Sequence, residues 1–109
     1  MLIVGNRRVI TTNMLDIKLF NRGTANKNEV RIEKRTSDNN VYEMIELYFS
    51  YETIIGFRYQ GNGECEREIS ENDWSKTTGK YLNELEPNHK RRIPHDRLLE
   101  RLEARLSEF

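Results

Sequence analysis

Residues 53–69 read Thr-Ile-Ile-Gly-Phe-Arg-Tyr-Gln-Gly-Asn-Gly-Glu-Cys-Glu-Arg-Glu-Ile. The first part of this stretch is rich in β-branched and aromatic side chains, and Gly61-Asn62-Gly63 separates it from an alternating run. A glycine-rich turn between two such runs predicts an antiparallel hairpin. One face of the second strand carries only Glu64, Glu66 and Glu68, so we expect that face to be solvated. Cys65 lies on the opposite face and is expected to be an inert core thiol.

Alternation of polar and apolar residues predicts further strands upstream, over residues 15–20, 29–35 and 41–49. The last of these is apolar on parts of both faces, which favours a central strand over a helix. Residues 1–4 and 8–12 flank Gly5-Asn6, which either closes a tight hairpin or bends one long strand. The inward residues would be Leu15, Ile17, Leu19, Val30 and Ile32, and the outward ones Asp16, Lys18, Glu29, Arg31 and Glu33.

The last third of the chain has helical periodicity. Ser75 can cap a short helix that ends before Pro87, and Pro94 suits the first turn of a longer one. The longer helix carries an apolar stripe made of Leu98, Leu99, Leu102, Leu106 and Phe109. The sequence therefore predicts an α+β fold in one domain, 1–109, with an antiparallel sheet of five or six strands in 1–70 and two helices in 71–109.

Composition limits the kind of protein this can be. Apolar residues make up 36% of the chain and charged residues 33%, so the core is thin or is completed by a second copy, and we expect a homodimer. Eighteen basic residues balance eighteen acidic ones, so no net field attracts nucleic acid or a membrane. A single cysteine and a very short apolar N-terminal run indicate a cytoplasmic protein without a membrane span.

The densest cluster of polar and aromatic side chains is Trp-Ser-Lys-Thr-Thr-Gly-Lys-Tyr-Leu-Asn, residues 74–83. Unpaired N–H groups at the start of a helix favour an anion, and the hydroxyls of Ser75, Thr77 and Thr78 add donors beside them. Gly79 costs about 1 kcal/mol inside a helix, which indicates close approach of another backbone or a ligand. The alternative is an ordinary capped helix that packs Trp74 and Tyr81 into the core. Both interpretations can hold together.

Positive charge accumulates around this helix. Folding of the last helix against the first would bring arginines to the helix start and make a phosphate pocket, with Trp74, Tyr81 or Tyr51 available to stack on a base. The competing interpretation is that these arginines cover the core and pair with glutamates. The cations are Lys76, Lys80, Lys90, Arg91, Arg92, Arg97, Arg101 and Arg105.

Catalytic and metal chemistry have little support in the sequence. His89 and His95 with one cysteine match no zinc-ligand spacing, so no metal or other cofactor is predicted. Cys65 lacks an electropositive activator. Either histidine would act as a general acid or base only if the tail returned to Ser75, which leaves phosphodiester hydrolysis as a minor alternative.

Two blocks of the chain resemble small domains of unknown function encoded by phages, archaeal viruses and plasmids. Residues 50–57 are similar to a Ser-Tyr-x-Thr-x-Ile-Ala strand, with Gly56 in place of the alanine. Residues 74–83 are similar to Trp/Tyr-Ser-x-Thr-Thr-x-Lys-His-x-Asn, with Tyr81 in place of the histidine. The resemblance implies a mobile-element origin and no established activity.

Together these observations predict a non-enzymatic accessory protein that binds a phosphate-bearing ligand, either nucleic acid or a signalling nucleotide of a host defence system. The alternative is a homo-oligomeric interaction protein that uses the leucine stripe of the last helix. The expected ligand-binding residues are Trp74, Ser75, Thr77, Thr78, Lys80, Asn83, Arg91, Arg92, Arg97 and Arg101.

Overall fold

Five antiparallel strands in sequence order, followed by two α-helices, make up residues 14–109, the part of the chain that the computed structural model describes. This arrangement confirms the α+β prediction. The predicted hairpin or long strand within residues 1–12 lies outside the described residues. The elements are β1 (Met14–Asn21), β2 (Asn28–Arg35), β3 (Val41–Ser50), β4 (Thr53–Gly61), β5 (Glu64–Ile69), α1 (Lys76–Leu85), a 3-10 turn (His89–Arg91) and α2 (His95–Glu108).

The hairpin between β4 and β5 closes through two residues, Asn62 and Gly63. Both have positive φ, 52° and 75°. This is the geometry of a type I′ turn, which matches the twist of the flanking strands, and asparagine followed by glycine adopts it at low cost. Gly61 then pairs with Glu64 as the first rung of the ladder. The turn predicted from the glycine-rich sequence is confirmed.

The two helices cover opposite faces of the sheet. Leu98 and Leu102 of α2 pack on one face, and Tyr81 and Leu82 of α1 pack on the other. The two faces contribute Ile45, Phe57 and Tyr59 to the first cluster and Tyr48, Ile55 and Ile69 to the second. Helical periodicity identified the apolar side of each helix correctly, but the packing of the last helix against the first does not occur.

The chain passes from α1 to α2 through a short bridge at the sheet. Ser70 and Ile93 form an isolated parallel pair, in which Ile93 N–H donates to Ile69 O (3.0 Å) and Glu71 N–H donates to Ile93 O (2.8 Å). This bridge extends β5 at the point where the chain leaves the sheet. It fixes both ends of the segment that carries α1.

The acidic face of β5 is only partly solvated, because α2 lies over it and only Glu64 of its three glutamates is exposed. Arg105 bonds Glu66 (2.6 Å) and Glu64 (2.9 Å), and Arg101 bonds Glu68. Cys65, expected in the core, is exposed on the other face. Arg101 and Arg105 of α2 therefore pair with glutamates, as the competing interpretation held, whereas Arg97 has no carboxylate within 4.0 Å among the described residues.

Charged residues on β2 and β3 also differ from the prediction, since Glu29 and Glu33 are buried rather than outward. Arg22 lies 2.9 Å from Glu29, and Lys18 lies 3.1 Å from Glu33. On β3 the buried Glu46 accepts hydrogen bonds from three side chains. The donors are Arg31 Nε (2.8 Å), Arg58 Nε (2.9 Å) and Tyr48 Oη (2.9 Å). Buried carboxylates are tolerated here because each has a cationic partner.

β1 departs most from its sequence pattern. Leu15, Ile17 and Leu19, the predicted inward residues, are 61%, 57% and 77% exposed. Neither helix reaches β1 on this face, because α2 packs on the middle strands of the same face, around Ile45 and Phe57. Alternation predicted the strand and the shared face correctly, but not the absence of a covering element among the described residues.

Candidate functional site

The start of α1 follows from local chemistry. Ser75 is the N-cap, in extended backbone, and its Oγ accepts the N–H of Thr78 at 3.3 Å. Residues Lys76–Leu85 then form the helix, with Thr78, Tyr81 and Leu82 buried on one side. The predicted cap is confirmed, and Tyr81 packs into the core as the ordinary-helix interpretation expected. The oxygen of Ser75 therefore supports the helix itself.

The two sequence blocks that carry the resemblance meet inside the protein. Ser50, at the end of β3, and Thr78, in the first turn of α1, are both buried, and their hydroxyls lie 2.7 Å apart. A buried hydroxyl without a partner is costly, so each residue requires the other. Thr78 and Ser75 are thus structural, whereas Thr77 is exposed.

Replacement of Thr78 by valine tests this assignment. The change keeps the shape and the β-branching but leaves the Ser50 hydroxyl without its partner, so we expect a loss of roughly 1 to 3 kcal/mol in the free energy of unfolding. Thr77→Val is the matched control on the exposed side, with an expected change within about 0.5 kcal/mol. Urea denaturation gives both values. Equal effects would show that the hydroxyl pair contributes nothing.

Gly79 lies close to a neighbouring side chain. A Cβ at this position would lie 2.8 Å from Nδ2 of Asn72, so the amide at the end of that side chain would have to move. Asn72 itself donates from Nδ2 to Ser75 O (3.3 Å) and accepts the N–H of Trp74 (3.0 Å), which holds the turn before α1. The group that approaches Gly79 is therefore a side-chain amide of the same chain, not the backbone or ligand inferred from the sequence.

The C-terminal end of α1 is held by an arginine. Arg92 is only 8% exposed. Its Nη2 donates to Asn83 Oδ1 (2.6 Å) and to Glu86 O (2.9 Å), and its Nε donates to Glu86 O (3.0 Å). His89 Nε2 lies 3.1 Å from the same Asn83 oxygen, which requires the proton on Nε2. Asn83 and Arg92, both predicted site residues, are brought together.

These groups line a cleft of about 380 Å³ beside α1. Its walls are Glu71, Asn72, Gly79, Asn83, His89 and Arg92. The cleft offers the guanidinium of Arg92, two side-chain amides, one imidazole and one carboxylate. Within the described residues no hydrogen bond uses Asn83 Nδ2 or Arg92 Nη1, so both remain available as donors toward a bound group.

The basic residues around the cleft differ from most others in the described part of the chain, because no described carboxylate lies within 4.0 Å of them. Within residues 14–109, most lysines and arginines have a carboxylate within 4.0 Å. The exceptions all lie between positions 76 and 97. They are Lys76, Lys80, Lys90, Arg91, Arg92 and Arg97. Lys76 and Lys80 share the helix face of Gly79 and Asn83, because residues three and four apart are neighbours on a helix.

The remaining predicted site residues lie elsewhere. Trp74 is partly exposed and makes an edge-on contact with the ring of His95, with centroids 4.9 Å apart. His95 Nε2 also lies 2.9 Å from Ile54 O, so this histidine joins α2 to the sheet. Arg97 is exposed. Arg101 lies over β5 and bonds Glu68, on the face of the sheet opposite α1, and so is not beside the helix start.

Sequence reasoning missed Glu71 and Asn72 as cleft residues and considered His89 only as a catalytic group. Asn72 carried a usable signal, since a polar residue before an N-cap often folds back on the turn. Nothing in the sequence separated Glu71 from the other exposed glutamates, because its place in the cleft depends on the bridge between Ser70 and Ile93.

A larger depression of about 620 Å³ lies at the other end of the sheet, by the β4–β5 turn. Three glutamates line it, Glu33, Glu43 and Glu64. Carboxylates repel phosphate, so this depression does not suit the predicted ligand. No cluster of three metal-ligating side chains occurs among residues 14–109, and none of the helices described for this chain is long and apolar enough to cross a membrane.

The fold and the cleft define a small α+β protein with a polar cleft beside one helix, lined by one guanidinium, one carboxylate, one imidazole and two amides. The chain belongs to the family of unknown function DUF8033, whose model matches residues 3–100. No curated protein and no solved structure matches it significantly. Membership agrees with the resemblance to domains of unknown function and assigns no activity.

Proposed function

We propose that this protein is a non-enzymatic accessory protein of a virus or plasmid that binds a phosphate-bearing ligand in the cleft beside α1. The observation that carries the proposal is Arg92. This guanidinium is almost fully buried, lines the cleft and has no carboxylate within 4.0 Å among the described residues. A buried cation without a counter-ion is costly, and a phosphate in the cleft would supply one.

The surroundings of Arg92 support the same ligand. Lys76 and Lys80 on α1, and Lys90 and Arg91 on the adjoining turn, have no carboxylate within 4.0 Å among the described residues and can extend the contact along a phosphodiester backbone. Glu71 at the cleft wall can accept from a base amino group or a sugar hydroxyl. Nucleic acid and a free nucleotide share this chemistry, and an anti-defence role would follow from capture of a signalling nucleotide.

The proposal is tested first on protein purified from cells without added ligand. Native mass spectrometry followed by denaturation identifies retained nucleotide or oligonucleotide. Fluorescence anisotropy with a short labelled oligothymidylate, and calorimetry with cyclic AMP, then separate the two ligand sources. We expect Arg92→Gln to weaken binding roughly 10-fold or more, since hydrogen bonds to charged groups contribute about 1.5 to 3 kcal/mol.

Because Arg92 also holds the end of α1, its replacement can weaken binding through misfolding. A second variant that leaves Arg92 in place separates the two causes. Lys90→Gln with Arg91→Gln changes only exposed side chains. The slope of log K against log salt concentration for oligothymidylate binding should become shallower by about 0.7 for each phosphate that is no longer neutralised. Lys27→Gln is the control, since Lys27 already pairs with Glu84 at 2.5 Å. No retained phosphate compound together with no binding of either probe would overturn the proposal.

Self-association was also predicted, with the leucine stripe of α2 as its surface. Leu98 and Leu102 of that stripe are buried against the sheet of the same chain, and Leu99 and Leu106 are exposed. The stripe is therefore largely used within the chain. A different surface favours a dimer, and it is independent of the ligand proposal.

A further inference from the structure

β1 presents an apolar surface that nothing in the described part of the chain covers. Leu15, Ile17 and Leu19 share one face and are the most exposed aliphatic side chains of the sheet. Among residues 14–109, β1 pairs only with β2, so no described strand lies along its other edge, the open edge of the described sheet. An open edge with large apolar residues is a template for pairing with another strand.

The open edge offers the backbone groups of these same residues. At the hairpin end, Arg22 N–H donates to Lys27 O at 2.9 Å. Hydrogen-bonded and non-bonded pairs alternate along an antiparallel ladder, and the register from Asn21↔Asn28 to Met14↔Arg35 is unbroken. Leu15, Ile17 and Leu19 therefore turn their N–H and C=O groups away from β2, toward the open edge.

The sequence of β1 is complementary to itself in one antiparallel register. With Ile17 opposite Ile17 of a second copy, Leu15 lies opposite Leu19 on the same face. On the other face, Asp16 of each copy lies opposite Lys18 of the other, and Met14 lies opposite Phe20. Apolar residues thus meet apolar residues, and opposite charges meet at both charged positions, in the non-bonded pairs where side chains are closest.

Neighbouring registers lack this match. A shift that centres the pair on Asp16 places two aspartates opposite each other, and one centred on Lys18 does the same with two lysines. If one strand slides by a single residue, the N–H and C=O groups that face the partner on one copy lie opposite groups that face β2 on the other. The hydrogen bonds of the ladder then cannot form. The register centred on Ile17 is therefore the favoured one.

We propose that two copies of this chain associate through β1, antiparallel about a two-fold axis at Ile17, so that the two sheets become one continuous sheet. The interface is isologous, as expected for a homodimer. A single strand pair of this length lies at the small end of specific interfaces, so the dimer should dissociate on dilution in the micromolar range or above.

Charge variants of the full chain test the register. Analytical ultracentrifugation over a concentration series should show a dimer for the wild type, at least 10-fold weaker dimerisation for Asp16→Lys and for Lys18→Asp, and recovery when both changes are combined. Within one chain, Asp16→Lys places a cation opposite the buried Glu33, whereas Lys18→Asp removes the 3.1 Å contact between Lys18 and Glu33. Circular dichroism at a concentration too low for association therefore checks the fold of each variant. Folding damage and loss of the interface are thereby separated.

A second test examines the two-fold axis. Ile17→Lys should give a folded monomer, and Ile17→Cys in a Cys65→Ser chain should oxidise to a covalent dimer, because bonded pairs have Cα atoms about 5.5 Å apart, within reach of a disulfide. Leu106→Lys, on exposed α2 surface, is the control. A monomeric wild type, a dimer abolished by Leu106→Lys but kept with Ile17→Lys, or no rescue by the paired charge reversal would overturn the proposal.

Discussion

Replacing Glu46 by glutamine should lower the free energy of unfolding by about 3 kcal/mol, as expected when one partner of a buried ion pair is removed. Glu46 is 4% exposed and joins Arg31 of β2 and Arg58 of β4 across the middle strand. Without its charge, the two guanidinium groups lose their common counter-ion. The expected value lies at the lower end of the range for buried pairs because both arginines are partly exposed and can recover hydration.

The same carboxylate should make stability fall in acid. Burial by itself would raise the pKa of Glu46, but hydrogen bonds from Arg58 and Tyr48 and the nearby positive charges outweigh it, and the pKa lies below its ordinary value of 4.5. The stabilisation is therefore complete above pH 4.5 and is lost as the pH falls through the lower, folded-state pKa. Arg35 likewise lowers the pKa of Glu33.

Urea denaturation at neutral pH and at steps below pH 4.5 measures both effects. The glutamine variant should lose stability at neutral pH and show a weaker decline in acid than the wild type. Glu100→Gln, on the solvent side of α2, serves as the control and should change neither. A neutral-pH loss no larger than that of the control would show that the network around Glu46 does not stabilise the fold.

Phe57→Ala should have the largest effect of any single apolar substitution, about 3 to 5 kcal/mol. Phe57 is fully buried in β4 and packs in the cluster that includes Leu98 and Leu102 of α2. Truncation removes the ring and leaves a cavity that the paired strands cannot close. Because a domain of this size is stable by only about 5 to 15 kcal/mol, the variant should be near unfolding at ambient temperature.

Phe20→Ala is the comparison for this prediction. Phe20 lies on the edge strand β1 and is partly exposed, so its removal should cost far less. Thermal unfolding followed by circular dichroism reports both variants at a concentration below that needed for dimerisation. Similar losses from the two substitutions would mean that α2 is not packed on the sheet through Phe57.

Turns and helix caps could be predicted from the sequence, because each depends on the backbone preference of one or two residues. The turn at Asn62 and Gly63 needs positive φ, and Ser75 caps the helix that it precedes, so both were predicted correctly. The close contact at Gly79 was inferred for the same reason. These features depend on backbone preferences within a few residues.

The burial of charged side chains could not be predicted from the sequence, because it depends on partners from distant parts of the chain. Glu33 looked like a solvent-facing strand residue until Lys18 and Arg35 were placed beside it. Arg92 looked like one member of a basic run, yet it is buried by the loop that returns to the sheet. Periodicity gave the apolar side of α2 but not the sheet face on which it packs.

The bridge between Ser70 and Ile93 restricts the freedom of the cleft. Every residue that lines the cleft belongs to the segment 71–92, whose two ends are joined at the edge of the sheet. Inside this segment, Tyr81 and Leu82 also pack on the strands. A loop that is held at both ends and in its middle would lose little conformational entropy on binding a ligand, so the shape of the cleft is preorganised.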